Sequence, residues 1–124
     1  MRSDTDELIA AYWLYWRTRD ENLFWAWQAV EADGWHDPQA KWPLILRLLD
    51  TAADDSEVGL VAAGPLEDLL TMYGKDFIDR IETEAVTNAK LRDALSGVWL
   101  RGPLRADPNV IADRVDRILA RPAG

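Results

Sequence analysis

Leu60-Val61-Ala62-Ala63-Gly64-Pro65-Leu66-Glu67-Asp68-Leu69-Leu70 carries apolar residues at helical spacing on both sides of a Gly-Pro pair. Proline has no backbone N–H to donate and suits the first turn of a helix, so one helix is expected to end at Gly64 and another to begin at Pro65. Leu66, Leu69, Leu70 and Tyr73 follow at i, i+3, i+4 and i+7, one face of that second helix. The stretch therefore predicts a hinge between two helices with a buried seam. Glu67 and Asp68 then fall in a first helical turn, where the helix dipole favours negative charge.

The same grammar repeats outward along the chain. Asp4 or Thr5 can cap a helix to about Thr18, with Leu8, Ile9, Tyr12, Trp13 and Trp16 on one side. Asp20 can cap a second, whose seam is Leu23, Phe24, Trp27 and Val30, with Gly34 after its end. Asp37-Pro38 opens a third through about Leu49, and Pro43 inside it is expected to bend it or delay its regular part. Asp54 and Glu57 have the spacing of a capping box for a short helix to Ala63. The helix from Pro65 is expected to end at Gly74. Phe77, Ile78, Ile81 and Ala85 mark the next, and Leu91, Ala94 and Leu95 a short one stopping near Gly97. Asp107-Pro108 opens the last, lined by Ile111, Val115, Ile118 and Leu119. Gly97-Val98-Trp99-Leu100-Arg101-Gly102 is the nearest approach to a strand and suits a helix extension or packed loop better. The expectation is one all-α domain over residues 1–124: a compact stack of about seven to eight short antiparallel helices. HEAT-like right-handed pairing is the favoured arrangement and a plain orthogonal bundle its alternative.

Three segments carry a resemblance. Val61-Ala62-Ala63-Gly64-Pro65-Leu66-Glu67-Asp68-Leu69-Leu70, Phe77-Ile78-Asp79-Arg80-Ile81-Glu82 and Ala94-Leu95-Ser96-Gly97-Val98-Trp99 resemble an uncharacterised bacterial family, a domain of unknown function. The resemblance covers most of residues 5–100. It implies an all-helical fold and a bacterial or phage source, and it brings no activity, cofactor or catalytic residue.

Composition narrows the function classes. The 124 residues have a net charge of −8 and contain no cysteine. Disulfides, thiolate zinc sites and cysteine nucleophiles are thereby excluded, and a reducing cytoplasm suits the chain. The N-terminus has no signal-peptide core, and no apolar run approaches the roughly 20 residues that span a bilayer. Residues 1–87 hold 18 acids against 7 bases, whereas residues 88–124 hold 4 acids against 7 bases. A chain this acidic is repelled by nucleic acid and attracted to basic surfaces. The basic surplus at Lys90, Arg92, Arg101, Arg105, Arg114, Arg117 and Arg121 faces either the acids of its own molecule or those of a second copy.

Candidate chemistry is sparse. Glu67 and Asp68 are read first as helix-capping residues, with Glu67 also able to pair with Arg101. Asp76, Asp79 and Glu82 recur along one helix, but a helical metal site needs ligands from a second helix or a Glu-x-x-His pair, and no such pair exists. His36 is the only histidine, too few for a metal phosphohydrolase. There is no Gly-x-Ser-x-Gly elbow and no phosphate-binding glycine loop. No cofactor is expected.

The aromatic content stands out. Six of seven tryptophans lie between Trp13 and Trp42. With Tyr12, Tyr15 and Phe24 they surround the first two helices with rings, and a helix apolar all round is either deeply buried or offers a face to a partner. Trp25 and Trp35 are the rings expected to be exposed, and Asp54, Asp55 and Glu57 the densest exposed acidic cluster. The sequence thus points to a non-enzymatic acidic binding domain, of the inhibitor or immunity type, that covers a basic surface of a toxin or effector. A self-associating scaffold is the alternative. An enzyme with a carboxylate or metal site around Glu67, Asp68, Asp79 and Glu82 is a third reading.

Overall fold

The structure is a computed structural model that describes residues 4–99 and 108–121, apart from the side chains of 32–36 and of 108 and 109. It is all-α: α1 (Asp4–Thr18), a 3-10 turn (Glu21–Leu23), α2 (Phe24–His36), α3 (Pro38–Thr51), α4 (Asp55–Val61), a π-helical turn (Ala62–Leu66), α5 (Glu67–Ala85), α6 (Ala89–Leu95) and α7 (Pro108–Ala120). No strand occurs among the described residues.

Three helix starts are set by described side-chain caps. The Asp37 carboxylate accepts from Ala40 N at 3.1 Å, that of Asp54 from Glu57 N at 2.9 Å, and the Asn88 side-chain oxygen from Leu91 N at 3.0 Å. Each satisfies one of the N–H groups that a first helical turn leaves without a partner. Asp20 accepts from Asn22 N and so caps the 3-10 turn, which delays α2 to Phe24. Helix α3 begins at Pro38 and continues through Pro43, whose ring is exposed, so its regular part is not delayed.

The Gly64-Pro65 expectation needs correction. The chain does not break there; α4, the π turn and α5 run on as one rod bent at Tyr73, so among the described residues the seven α-helical segments make six rods. The N–H of Glu67 reaches the Ala62 carbonyl, five residues back. In a regular helix the ring of Pro65 would press on the carbonyl four residues earlier, and a widened turn accommodates it. Glu67 and Asp68 therefore do not cap a helix start. The departure from helical geometry comes at Tyr73 (φ −133°, ψ 23°), one residue before the expected stop at Gly74.

Contacts along the rods fix their directions. Trp13 Nε1 donates to Thr51 Oγ1 at 2.8 Å and Arg47 pairs with Asp6, so α1 and α3 run parallel, with α2 returning between them. Glu57 lies beside Arg17 at the end of α1, while Gly64 lies beside Glu31 in α2. Beyond the bend at Tyr73 the chain follows α3, with Arg80 on Gln39 and Lys90 on the carbonyls of Asp50 and Ala52. The core is continuous. Ile45, Leu48 and Leu49 of α3, Leu66 of the π turn, Phe77 and Ile81 of α5 and Leu91 of α6 are wholly buried. Each contributes about 1.5–3 kcal/mol of apolar burial.

Candidate functional site

One end of the stack collects exposed rings and acids. Helix α2 packs inward through Ala26 and Val30, which are fully buried. That choice of seam leaves Trp25 50% exposed, as its spacing predicts, and Phe24 39% exposed, against the expectation that Phe24 helps to close the seam. The rings form a chain: Phe24 stacks on Trp27 at 5.3 Å and meets Tyr15 at 5.7 Å, and Tyr15 meets Trp16 at 5.7 Å. Arg19 covers the Trp16 ring at 4.4 Å from an unusual left-handed backbone position, φ 58°. Trp13 and Trp42 are buried in the core. The Trp35 side chain lies outside the described residues, as do those of His36 and Arg101.

The acids at this end divide into two kinds. Asp54 and Asp55 are exposed at the start of α4, and Asp20 and Glu21 are exposed in the turn before α2. Glu57 does not belong with them. It is only 8% exposed and takes both Arg17 Nε at 2.9 Å and Arg17 Nη2 at 2.8 Å. Its Oε1 also accepts from Ala53 N at 2.8 Å. The Arg17 guanidinium, together with the Ala53 N–H, holds the Glu57 carboxyl below its ordinary range against the effect of burial. Glu57 is thus a tie between α1 and α4, removed from the candidate binding cluster. Because Arg17 ends α1, this tie brings Asp54 and Asp55 to the same end of the stack as Asp20, Glu21, Phe24 and Trp25.

The candidate acids of α5 separate. Glu67 Oε1 accepts from Trp99 N at 2.7 Å, which ties the chain after α6 to the π turn and leaves the Trp99 ring 62% exposed. Asp68 is within hydrogen-bonding reach of Glu31, whose carboxyl is raised to about 7 by burial first, then by Asp68, with Lys41 opposing. Glu31 Oε1 also lies 3.6 Å from where a side chain at Gly64 would start. Lys41 is wholly buried, and Tyr12 on α1 is pushed up to about 12, chiefly by burial. Asp79 and Glu82 instead face α7, where Arg114 bonds them at 2.9 and 3.4 Å and Arg121 approaches Glu82 at 3.6 Å. The structure does not bring Glu67, Asp68, Asp79 and Glu82 together.

Sequence reasoning missed Glu31, although it stands one helical turn beyond Trp27 on α2, a place where a charge is noticeable. The exposure of Trp99 carries no signal in the sequence. No described helix is long and apolar enough to cross a membrane.

A family model for a family of unknown function, DUF6869, matches residues 16–123. The chain belongs to this family. The match includes the aromatic start of α2, the acidic start of α4 and the π turn, so the rings and acids of the candidate surface, apart from Tyr15, lie within the family domain. No curated protein and no solved structure is detectably similar to this DUF6869 chain.

Proposed function

We propose that this DUF6869 protein is a non-enzymatic, acidic protein-binding domain that covers a basic surface on a toxin or other effector. One observation carries the reading: Trp25 stands half-exposed beside Phe24 on the end of the stack that also presents Asp20, Glu21, Asp54 and Asp55. Tryptophan is the residue most enriched at interface hot spots, where it anchors a partner by filling a dry pocket. Acids around such an anchor steer a basic partner and set the association rate. The net charge of −8 acts in the same sense over longer range, and the cysteine-free composition suits action in the cytoplasm.

The test uses wild-type protein, Trp25→Ala and Asp55→Lys as parallel baits at low and moderate salt. The expected result is a basic protein retained by the wild type and lost by both variants, then confirmed with the purified pair. A retained set that ignores both substitutions overturns the reading. Sedimentation at two concentrations separates this function from self-association: a concentration-dependent dimer abolished by Trp25→Ala assigns the aromatic end to a second copy instead.

A further inference from the structure

Gly59 sits in the middle of the seven-residue α4, and nothing inside the fold uses its missing side chain. A Cβ at Gly59 would meet no atom within 4 Å beyond its chain neighbours and the backbone of its own helix. The other glycines for which the surroundings are described each face a neighbour: Gly64 a Glu31 oxygen at 3.6 Å, Gly74 the Ile111 side chain from 3.0 Å, Gly97 the Ala62 Cβ at 3.3 Å. Glycine inside a helix is less favourable than alanine, and one with open space above it is accounted for when another chain passes close to the backbone.

The open space is a groove. It lies between α4 and α6 and has a volume of about 320 Å³. Val58, Gly59, Ala62 and Gly97 line its bottom, and Asp55 and Asp93 stand exposed at its rim. No basic side chain is among its described lining residues. A shallow bottom without bulky side chains suits a polypeptide backbone, and a rim of one charge sign selects the opposite sign. Cationic side chains gain more from the two carboxylates than uncharged donors do, and acidic ligands are repelled by them.

We propose that the groove between α4 and α6 receives a basic stretch of the partner polypeptide, its backbone crossing Gly59 and Gly97 and its lysine or arginine side chains reaching Asp55 and Asp93. This rests on the reading of the protein as a binder of basic proteins and names where the partner chain lies. It adds a place of contact that the aromatic end alone does not supply.

The experiment is an amide NMR titration of the whole protein with acetyl-Ala-Arg-Ala-Arg-amide and, separately, with acetyl-Ala-Glu-Ala-Glu-amide. The arginine peptide is expected to shift the Gly59, Ser96 and Gly97 amides saturably in the millimolar range, and the glutamate peptide to leave them in place. Gly59→Gln fills the groove with a good helix former; it is expected to keep the helical circular dichroism and to weaken the arginine peptide at least tenfold. Asp93→Asn, on the surface, is expected to weaken it several-fold and guards against a folding defect in the first variant. Unchanged affinity in both variants, or equal shifts with the glutamate peptide, overturns the proposal. Shifts confined to Trp25 and its neighbours also overturn it while sustaining the aromatic, acidic surface, and no saturable shift anywhere overturns the groove and leaves that surface to the bait experiment.

Discussion

Two side chains carry predictions of their own. Arg19 follows the end of α1 in the left-handed region, φ 58°, a conformation that costs a non-glycine residue about 1–2 kcal/mol. Its guanidinium recovers part of this by lying over Trp16 at 4.4 Å and Tyr15 at 5.9 Å, an attraction of about 0.5–1 kcal/mol. Arg19→Ala keeps the strain and loses the stacking, whereas Arg19→Gly loses both. The alanine variant is therefore expected to be less stable than the glycine variant by about 1 kcal/mol in urea titration, and equal midpoints would refute this account. Glu31 predicts a pH dependence. Its folded value of about 7 exceeds the unfolded carboxylate value, so the folded state holds the proton more tightly. Stability then falls as pH rises from about 5 to 7 and levels off above. The titratable groups described around Glu31 are Asp68 from α5, Lys41 from α3 and the neutral Tyr12 from α1. Glu31→Gln removes the slope and is expected to raise stability at pH 8 by about 1–3 kcal/mol, read from urea midpoints at four pH values. Retention of the wild-type slope in that variant would exclude Glu31 as its source. Glu57 has the opposite sign: Arg17 lowers its value, so its contribution is present above the unfolded value and lost as pH falls.

At the scale of elements, two helical glycines are expected to respond in opposite directions. Gly74 lies just past the bend in α5, and a Cβ there would come within 3.0, 3.2 and 3.3 Å of three Ile111 carbons of α7. Gly74→Ala is expected to destabilise by about 1–3 kcal/mol, and the cost should vanish on an Ile111→Ala background, a coupling that a double-mutant cycle measures. Gly59→Ala meets no such neighbour and should stabilise by about 0.5–1 kcal/mol; a loss at Gly59 would show that α4 needs its glycine for internal reasons. The contrast explains what was legible in the sequence. Asp37-Pro38 and Asp54 mark helix starts by chemistry that acts within three residues, and the structure places those starts where the residues indicate. The apolar spacing read for α1, α5, α6 and α7 likewise marks the faces that are buried. Gly64-Pro65 was misread because the same dipeptide ends a helix or sits in a widened turn. Packing of Leu66 and Pro65 into the core favours the second outcome, and no local rule contains that information. Glu57 leaves the exposed acidic cluster for a similar reason: its local capping bonds form as its position predicts, but Arg17, forty residues earlier, also binds it and buries it.

At the scale of the whole molecule, the uneven charge of the chain is partly neutralised within itself. Arg114 and Arg121 turn to Asp79 and Glu82, Lys90 to the last carbonyls around the end of α3, and Arg92 to the carbonyls of Ile118, Leu119 and Arg121. These bases of the C-terminal part are used to hold α5, α6 and α7 together. Meanwhile Arg17 is committed to Glu57 and Arg19 to the rings of Tyr15 and Trp16, so the bases nearest the aromatic end are also occupied. Arg17 also attracts Asp54 and Arg19 keeps its charge over the rings, but the exposed acids Asp20, Glu21, Asp54 and Asp55 outnumber these two bases and leave a negative field at that end. If this field guides a basic partner, the double charge reversal Glu21→Lys/Asp55→Lys is expected to lower the association rate by about tenfold at low ionic strength, with little change in dissociation. The difference should shrink as salt shortens the screening length to about 8 Å at physiological strength. Trp25→Ala is expected to act on the other constant, raising dissociation by about thirtyfold, which corresponds to the loss of roughly 2 kcal/mol from one anchoring ring. Stopped-flow association and dissociation with the captured partner at three salt concentrations separates the two. An association rate that ignores the charge reversal at every salt concentration would remove steering from the account, and a Trp25 variant that dissociates like the wild type would move the anchor elsewhere on the surface.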